Sequence, residues 1–148
     1  MNANHQVLGS LIAQVSRQWR QTLDKKLQPF GLTQATWLPL WYMARASEPL
    51  RQKDLAKLLA VDGSALVRIL DTLEKQQLIT RQEGQDRRVK TLHLTDQGQA
   101  ISEQVNRVGN EVRQQVLGPI DDKDLDTTLA VLQGLLVSLG ALEQEPKS

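Results

Sequence analysis

Asp86-Arg87-Arg88, and upstream of it Ser64, Ala65, Arg68, Thr72 and Lys75, are residue types that recognise a polyanion without making or breaking a bond. Guanidinium groups bond phosphate oxygens and guanine edges, hydroxyls reach phosphates, and a small methyl such as that of Ala65 meets a thymine methyl. Arg68 suits a bidentate guanine contact, and Ser64 a phosphate or a base edge, while Thr72 and Lys75 suit the backbone. Two adjacent arginines on a loop suit insertion into a narrow minor groove, with Asp86 bracing one of them by a charge-assisted bond. Bond-making chemistry has no comparable set. There is no cysteine, and the two histidines, His5 and His93, stand apart. No Gly-rich phosphate loop, nucleophile elbow or metal-ligand spacing occurs, so neither catalysis, a metal nor a cofactor is expected.

These residues need elements to hold them. Leu66, Ile69, Leu70 and Leu73 fall at i, i+3, i+4 and i+7, which predicts a helix from about Ser64 to Gln76 with the polar set on its opposite face. A short amphipathic helix over 50–59 precedes it, and Ala60-Val61-Asp62-Gly63 breaks the two apart, as in a helix-turn-helix. Residues 78–81 and 89–94 read as two strands joined by a charged loop, which makes a wing. Upstream, Leu8 to Leu27 carries helical spacing stopped by Pro29 and Gly31, and Thr33 caps a second helix with Pro39 inside it, expected to kink. Downstream, Thr95 caps a long helix ending at Gly118-Pro119. Asp121 opens a last one, with Leu125, Leu129, Leu132, Leu136 and Leu139 alternating by four and three.

The expected fold is mainly α with a small β-wing: a winged helix-turn-helix over about 33–98, with about 1–30 and 100–148 supplying dimerisation helices in one unit of 148 residues. The terminal helices carry more apolar surface than the winged part can cover, which predicts a homodimer. Charge is unevenly spread. Residues 1–50 carry +3, 51–96 carry +2 and 97–148 carry −4, so any contact with DNA belongs to the first two thirds. No apolar stretch approaches a membrane span and no secretory signal opens the chain, so no membrane and a cytoplasmic location are expected.

Four of the five aromatic residues, Trp19, Trp37, Trp41 and Tyr42, fall on the first two helices. Arg17, Trp37, Trp41 and Arg68 are the expected lining of a pocket for a planar aromatic carboxylate, with Arg68 at its edge coupling ligand to DNA. The alternative for the tryptophans is plain core packing between helices.

The run Asp86-Arg87-Arg88-Val89-Lys90-Thr91-Leu92-His93-Leu94-Thr95-Asp96-Gln97-Gly98 resembles the D-x-R then L-T-x-x-G signature of the MarR family. Leu55-Ala56-Lys57-Leu58-Leu59, Leu66 to Lys75 and Gln77-Leu78-Ile79-Thr80-Arg81 are similar to its helix-turn-helix and wing. Trp19 and Leu32 to Trp37 are similar to its SlyA-like branch. The resemblance implies a triangular homodimer on double-stranded DNA at a pseudo-palindromic operator, released by phenolic or anionic aromatic effectors. It also implies Arg88 in the minor groove with Asp86 as its partner, and Arg87 near the backbone. Ala65 stands where the family often has serine. Repressor is the working role, with activation or displacement of a silencer left open. The rival reading is a winged helix that binds protein rather than DNA.

Overall fold

The computed structural model describes residues 1–86 and 88–144; Arg87, one of the three wing-tip residues above, lies outside the described residues. Two compact units emerge, Met1–Gly109 and Asn110–Ser148.

In the first unit a 3-10 turn, Ala3–Val7, leads into α1, Leu8–Leu27. Only the end of α1 is buried, at Leu23 and Leu27, while Leu8, Leu11, Ile12 and Val15 stand exposed. Gly31, at φ +70°, turns the chain where a residue with a Cβ would be strained. The Asp24 carboxylate of α1 accepts from the Gln34 amide at 2.7 Å, so α1 caps α2, Gln34–Arg45. Thr33 is the expected N-cap of α2, its amide donating to Thr36 Oγ1 at 2.9 Å. Pro39 is buried within α2, which runs unbroken past it. It removes one donor from the helix, and burial of its ring against the core offsets that loss.

Leu50 and Arg51 were expected to begin a helix. Instead they form a strand, β1, paired antiparallel to a later one, and α3 starts at Gln52 and ends at Leu59. Helix α4 spans Gly63–Lys75, and β2, Ile79–Glu83, and β3, Lys90–Leu94, make the wing. The sheet is therefore three-stranded, in the order β1-β3-β2, with Leu50 opposite Leu92 and Ile79 opposite Leu94. The architecture is mostly helical with this one small antiparallel sheet. Leu27, Leu40, Leu55, Leu66, Leu70, Leu73 and Ile79 are completely or almost completely buried and form the core that fixes α4 against α2, α3 and the wing.

Helix α5, Asp96–Leu117, begins in the first unit and ends in the second; α6, Asp122–Glu143, follows. None of the residues of α6 is buried, and Leu129, Val131, Leu132, Leu136, Val137, Leu139 and Leu142 are exposed. The sequence expectation that no stretch reaches spanning length needs correcting. Helix α6 has a mean hydropathy of 1.6 over 18 residues and is long and apolar enough to span by length and composition. Its charges gather in the first turns, and alanine and valine between the leucines keep the average high, which a reading by leucine spacing alone overlooks.

Candidate nucleic-acid interface

Helix α4 sinks Leu66, Leu70 and Leu73 into the core and so turns Ser64, Val67, Arg68, Asp71, Thr72 and Lys75 outward, with Ala65 half-buried. The outward set has the residues of the face expected from sequence except Ala65, which is partly covered, and adds Val67. An exposed valine beside Arg68 puts an apolar surface on this polar face. The cap of the helix was missed. Asp62 precedes α4, and its Oδ1 accepts from the Ser64 hydroxyl and from the Ala65 amide, each at 2.7 Å. Those two bonds hold the Asp62 carboxyl below the usual carboxylate range. Ser64 thus presents its oxygen lone pairs outward while its proton is engaged by Asp62. The signal was available, since an aspartate directly ahead of an apolar-periodic run is an N-cap pattern.

Asp71 and Glu74 put negative charge on a helix whose neighbours are cationic. Arg81, at the start of the wing, answers both: its Nε donates to Glu74 at 2.8 Å and its Nη2 to Asp71 at 2.5 Å. Its side chain is only 20% exposed, and the two carboxylates raise its pKa above the ordinary arginine value. With both acids matched, Arg68 and Lys75 make no ion pair among the described residues. Thr72 donates its hydroxyl to the Arg68 carbonyl at 3.1 Å, and the Arg68 side chain is exposed.

At the wing tip, Asp86 was expected to brace an arginine side chain. Among the described residues its bonds are to backbone: Asp86 Oδ1 accepts from the Arg88 amide at 3.0 Å, and the Val89 amide donates to the Asp86 carbonyl at 3.0 Å. The aspartate therefore shapes the turn and leaves the Arg88 guanidinium exposed. Gly84 and Val89 close the loop with an amide-to-carbonyl bond of 3.1 Å.

Between α3, the start of α4 and the wing lies a cavity of about 700 Å³. Arg51, Lys53, Lys57, Arg88 and Lys90 line it, over an apolar floor that includes Ala56, Val61, Leu66 and Val89. Gln52 also lines it, and the Gln52 Oε1 is buried with no hydrogen-bond partner among the described residues. Arg51 is held to Asp54 by Nε at 2.9 Å and Nη2 at 3.3 Å; the bond raises the arginine and lowers the carboxyl. The sequence reading missed this site because its walls come from three separate segments, none of which is distinctive alone.

The residues of the pocket expected from sequence lie elsewhere. None of Arg17, Trp37, Trp41 and Arg68 lines the cavity just described. Arg17 is exposed on α1 and Arg68 exposed on α4. Trp37 is core: its ring lies over Gly109 of α5, where a Cβ would meet ring carbons at 3.6 and 3.7 Å. The arginine stacked on Trp41 is Arg45, at 4.2 Å from the ring centroid, with Tyr42 edge-on at 5.1 Å. The indole N–H groups of Trp37 and Trp41 are both buried and unpartnered among the described residues.

Residues 32–90 match the model of the MarR family. Among solved structures, the chain is 37% identical to transcriptional regulator PA3341, with a TM-score of 0.82 over 90% of this chain and 98% of that one. It is similar to a mutant MarR from E. coli at 30% identity, with a TM-score of 0.70 over 87% and 96%. It is also similar to MepR from S. aureus, solved as a complex with DNA, at 28% identity and a TM-score of 0.85 over 89% and 97%.

Proposed function

Since the chain belongs to the MarR family of transcriptional regulators, we propose that it is a ligand-responsive repressor that binds a pseudo-palindromic operator as a homodimer. One observation carries the reading: the outward face of α4 and the wing present Arg68, Lys75, Arg88 and Lys90 exposed, while the two α4 acids beside Arg68 and Lys75, Asp71 and Glu74, are matched by Arg81. Ser64, Ala65, Val67 and Arg68 enter the major groove by the N-terminal half of α4, Thr72 and Lys75 follow the backbone, and Arg88 reaches the minor groove from a turn set by Asp86. Arg87 is assigned to the adjacent phosphate. MepR, a relative solved on DNA, supports the same use of the fold.

The dimer uses α1, the end of α5 and α6. Each leaves leucines or valines exposed to water, which calls for a partner, and the four-and-three spacing along α6 suits a second helix better than a bilayer. About 1–30 and 100–148 are thus the dimerisation part, and about 33–98 the DNA-binding part. The effector is an aromatic carboxylate or phenolate. The cavity beside Arg88 suits it, since a ring fits the apolar floor and its anionic group the surrounding cations. Trp37 and Trp41, with buried indole donors, are the other candidate contact, together with Arg17 and Arg68. A ligand among residues that also face DNA competes with phosphate directly, which couples the two equilibria.

Selection of duplexes from a random pool by the purified protein tests the reading. A two-fold symmetric consensus with half-sites one helical turn apart is expected, and its yield falls when salicylate is added. Recovery of no duplex above background at 50 mM salt would refute it, and favour a winged helix that binds protein.

A further inference from the structure

The recognition helix is held at the end that would lie away from the bases. Its last turn closes as a Schellman motif: the Gln77 amide donates to the Glu74 carbonyl at 2.9 Å and the Leu78 amide to the Leu73 carbonyl at 3.0 Å. The left-handed residue is Gln77, at φ +63°, where glycine is usual. Three further contacts fasten this turn from two sides. Gln76 Nε2 donates to the Gly31 carbonyl, at the turn between α1 and α2, at 3.1 Å. Thr95, the N-cap of α5, donates its hydroxyl to the Gln77 carbonyl at 2.7 Å and its amide to the Leu78 carbonyl at 3.1 Å. Its Oγ1 also accepts from the Gly98 amide at 2.9 Å, so one hydroxyl caps α5 and grips the turn together. Gly98 lies flush on the same carbonyl. A Cβ there would stand 1.9 Å from the Leu78 oxygen and 2.9 Å from its carbon, both backbone atoms that cannot swing aside. The Thr95 and Gly98 pair of the Leu94-Thr95-Asp96-Gln97-Gly98 run thus acquires a geometric reason: a bond and a close approach onto one peptide.

We propose that Gln76, Thr95 and Gly98 form a clasp that sets the orientation of α4 relative to α1 and α5, and so control operator recognition as positioning residues that need no contact with DNA. The inference rests on the DNA-binding role proposed above and adds to it. A tilt of α4 displaces its N-terminal side chains from base edges, which need fixed geometry, but hardly alters phosphate attraction, which does not. Loosening the clasp should therefore cost discrimination rather than general affinity.

The test compares Thr95→Val and Gln76→Ala with the wild-type full-length chain by fluorescence anisotropy. One probe is the duplex the wild type selects, and the other a scrambled duplex of equal length. Gly98→Ala serves as a harsher third variant. Thermal melts and circular dichroism establish that each variant is folded at the assay temperature. Tenfold or greater loss on the selected duplex, with scrambled-duplex affinity within twofold of wild type, is expected for Thr95→Val, and a smaller loss of the same kind for Gln76→Ala. Equal losses on both duplexes, or unchanged discrimination in a folded Thr95→Val protein, would overturn the clasp while leaving the DNA-binding role intact. If the wild type itself fails to distinguish the two duplexes, the DNA-binding role falls and the clasp falls with it.

Discussion

The two units are stabilised by opposite means. Met1–Gly109 carries its own core, with leucines from α1, α2, α3 and α4 removed from water, and ties Asp71 and Glu74 to Arg81 and Asp54 to Arg51. Asn110–Ser148 contains α6, whose leucines and valines face outward with none of its residues buried. The winged part of the first unit is a finished surface bearing cations outside any ion pair among the described residues, whereas α6 of the second, like the start of α1, presents an unfinished apolar face. Exposure thus has different meanings in the two. Exposed charge on α4 and the wing costs little in water and is free for a polyanion, whereas exposed leucine on α6 calls for a partner.

Leu136→Glu on α6 should change the molecule most. If that face pairs with a second copy, the dimer should weaken at least a hundredfold in sedimentation equilibrium, while far-UV circular dichroism of the winged unit persists. An unchanged mass would mean the face is covered otherwise. The converse substitution, Leu70→Ala in the fully buried stripe of α4, should cost about 2–5 kcal/mol and be read as a lowered denaturation midpoint. A cost under ~1 kcal/mol would show that the core does not carry the unit.

Two milder changes probe the first unit alone. Gln77→Gly relieves a left-handed side chain at φ +63° and should raise stability by about 0.5–1 kcal/mol, seen as a Tm increase. The Asp62 cap makes stability depend on pH. Its carboxyl titrates lower in the folded chain than in the unfolded one, because of Ser64 and the Ala65 amide. The stabilisation is therefore present above the unfolded carboxylate pKa and is lost as pH falls through the lower folded value. Asp62→Asn keeps a capping oxygen but does not titrate, so its acid limb should be shallower than that of the wild type in urea melts taken from pH 6 to pH 3.

Much of this fold was legible because burial imposes a period on the chain. The stripe Leu66-Ile69-Leu70-Leu73 and the caps Thr33, Thr95 and Asp121 place their helices within a residue or so. The misses have physical causes. Leu50-Arg51 is too short for alternation to show, and its pairing with β3 is a tertiary fact. Gln77 hides a Schellman turn because the glycine that usually marks one is absent. Arg81 reads as a strand residue, and its partners on α4 are visible only once the wing folds back. The cavity is assembled from distant segments. The concentration of aromatics on α1 and α2 was visible in composition, but the partners of the rings, Gly109 for Trp37 and Arg45 for Trp41, come from packing.

Every role proposed for the protein depends on a cationic face of α4 and the wing meeting the phosphates and grooves of DNA, and the salt dependence of binding is the decisive measurement. Titrating the selected duplex between 50 and 200 mM salt should give a steep negative slope of log affinity against log salt. Arg88→Ala should bind more weakly and flatten that slope by about one unit, without altering the melting temperature. A wild-type slope near zero, or an Arg88→Ala slope identical to it, would mean that this face does not meet phosphate.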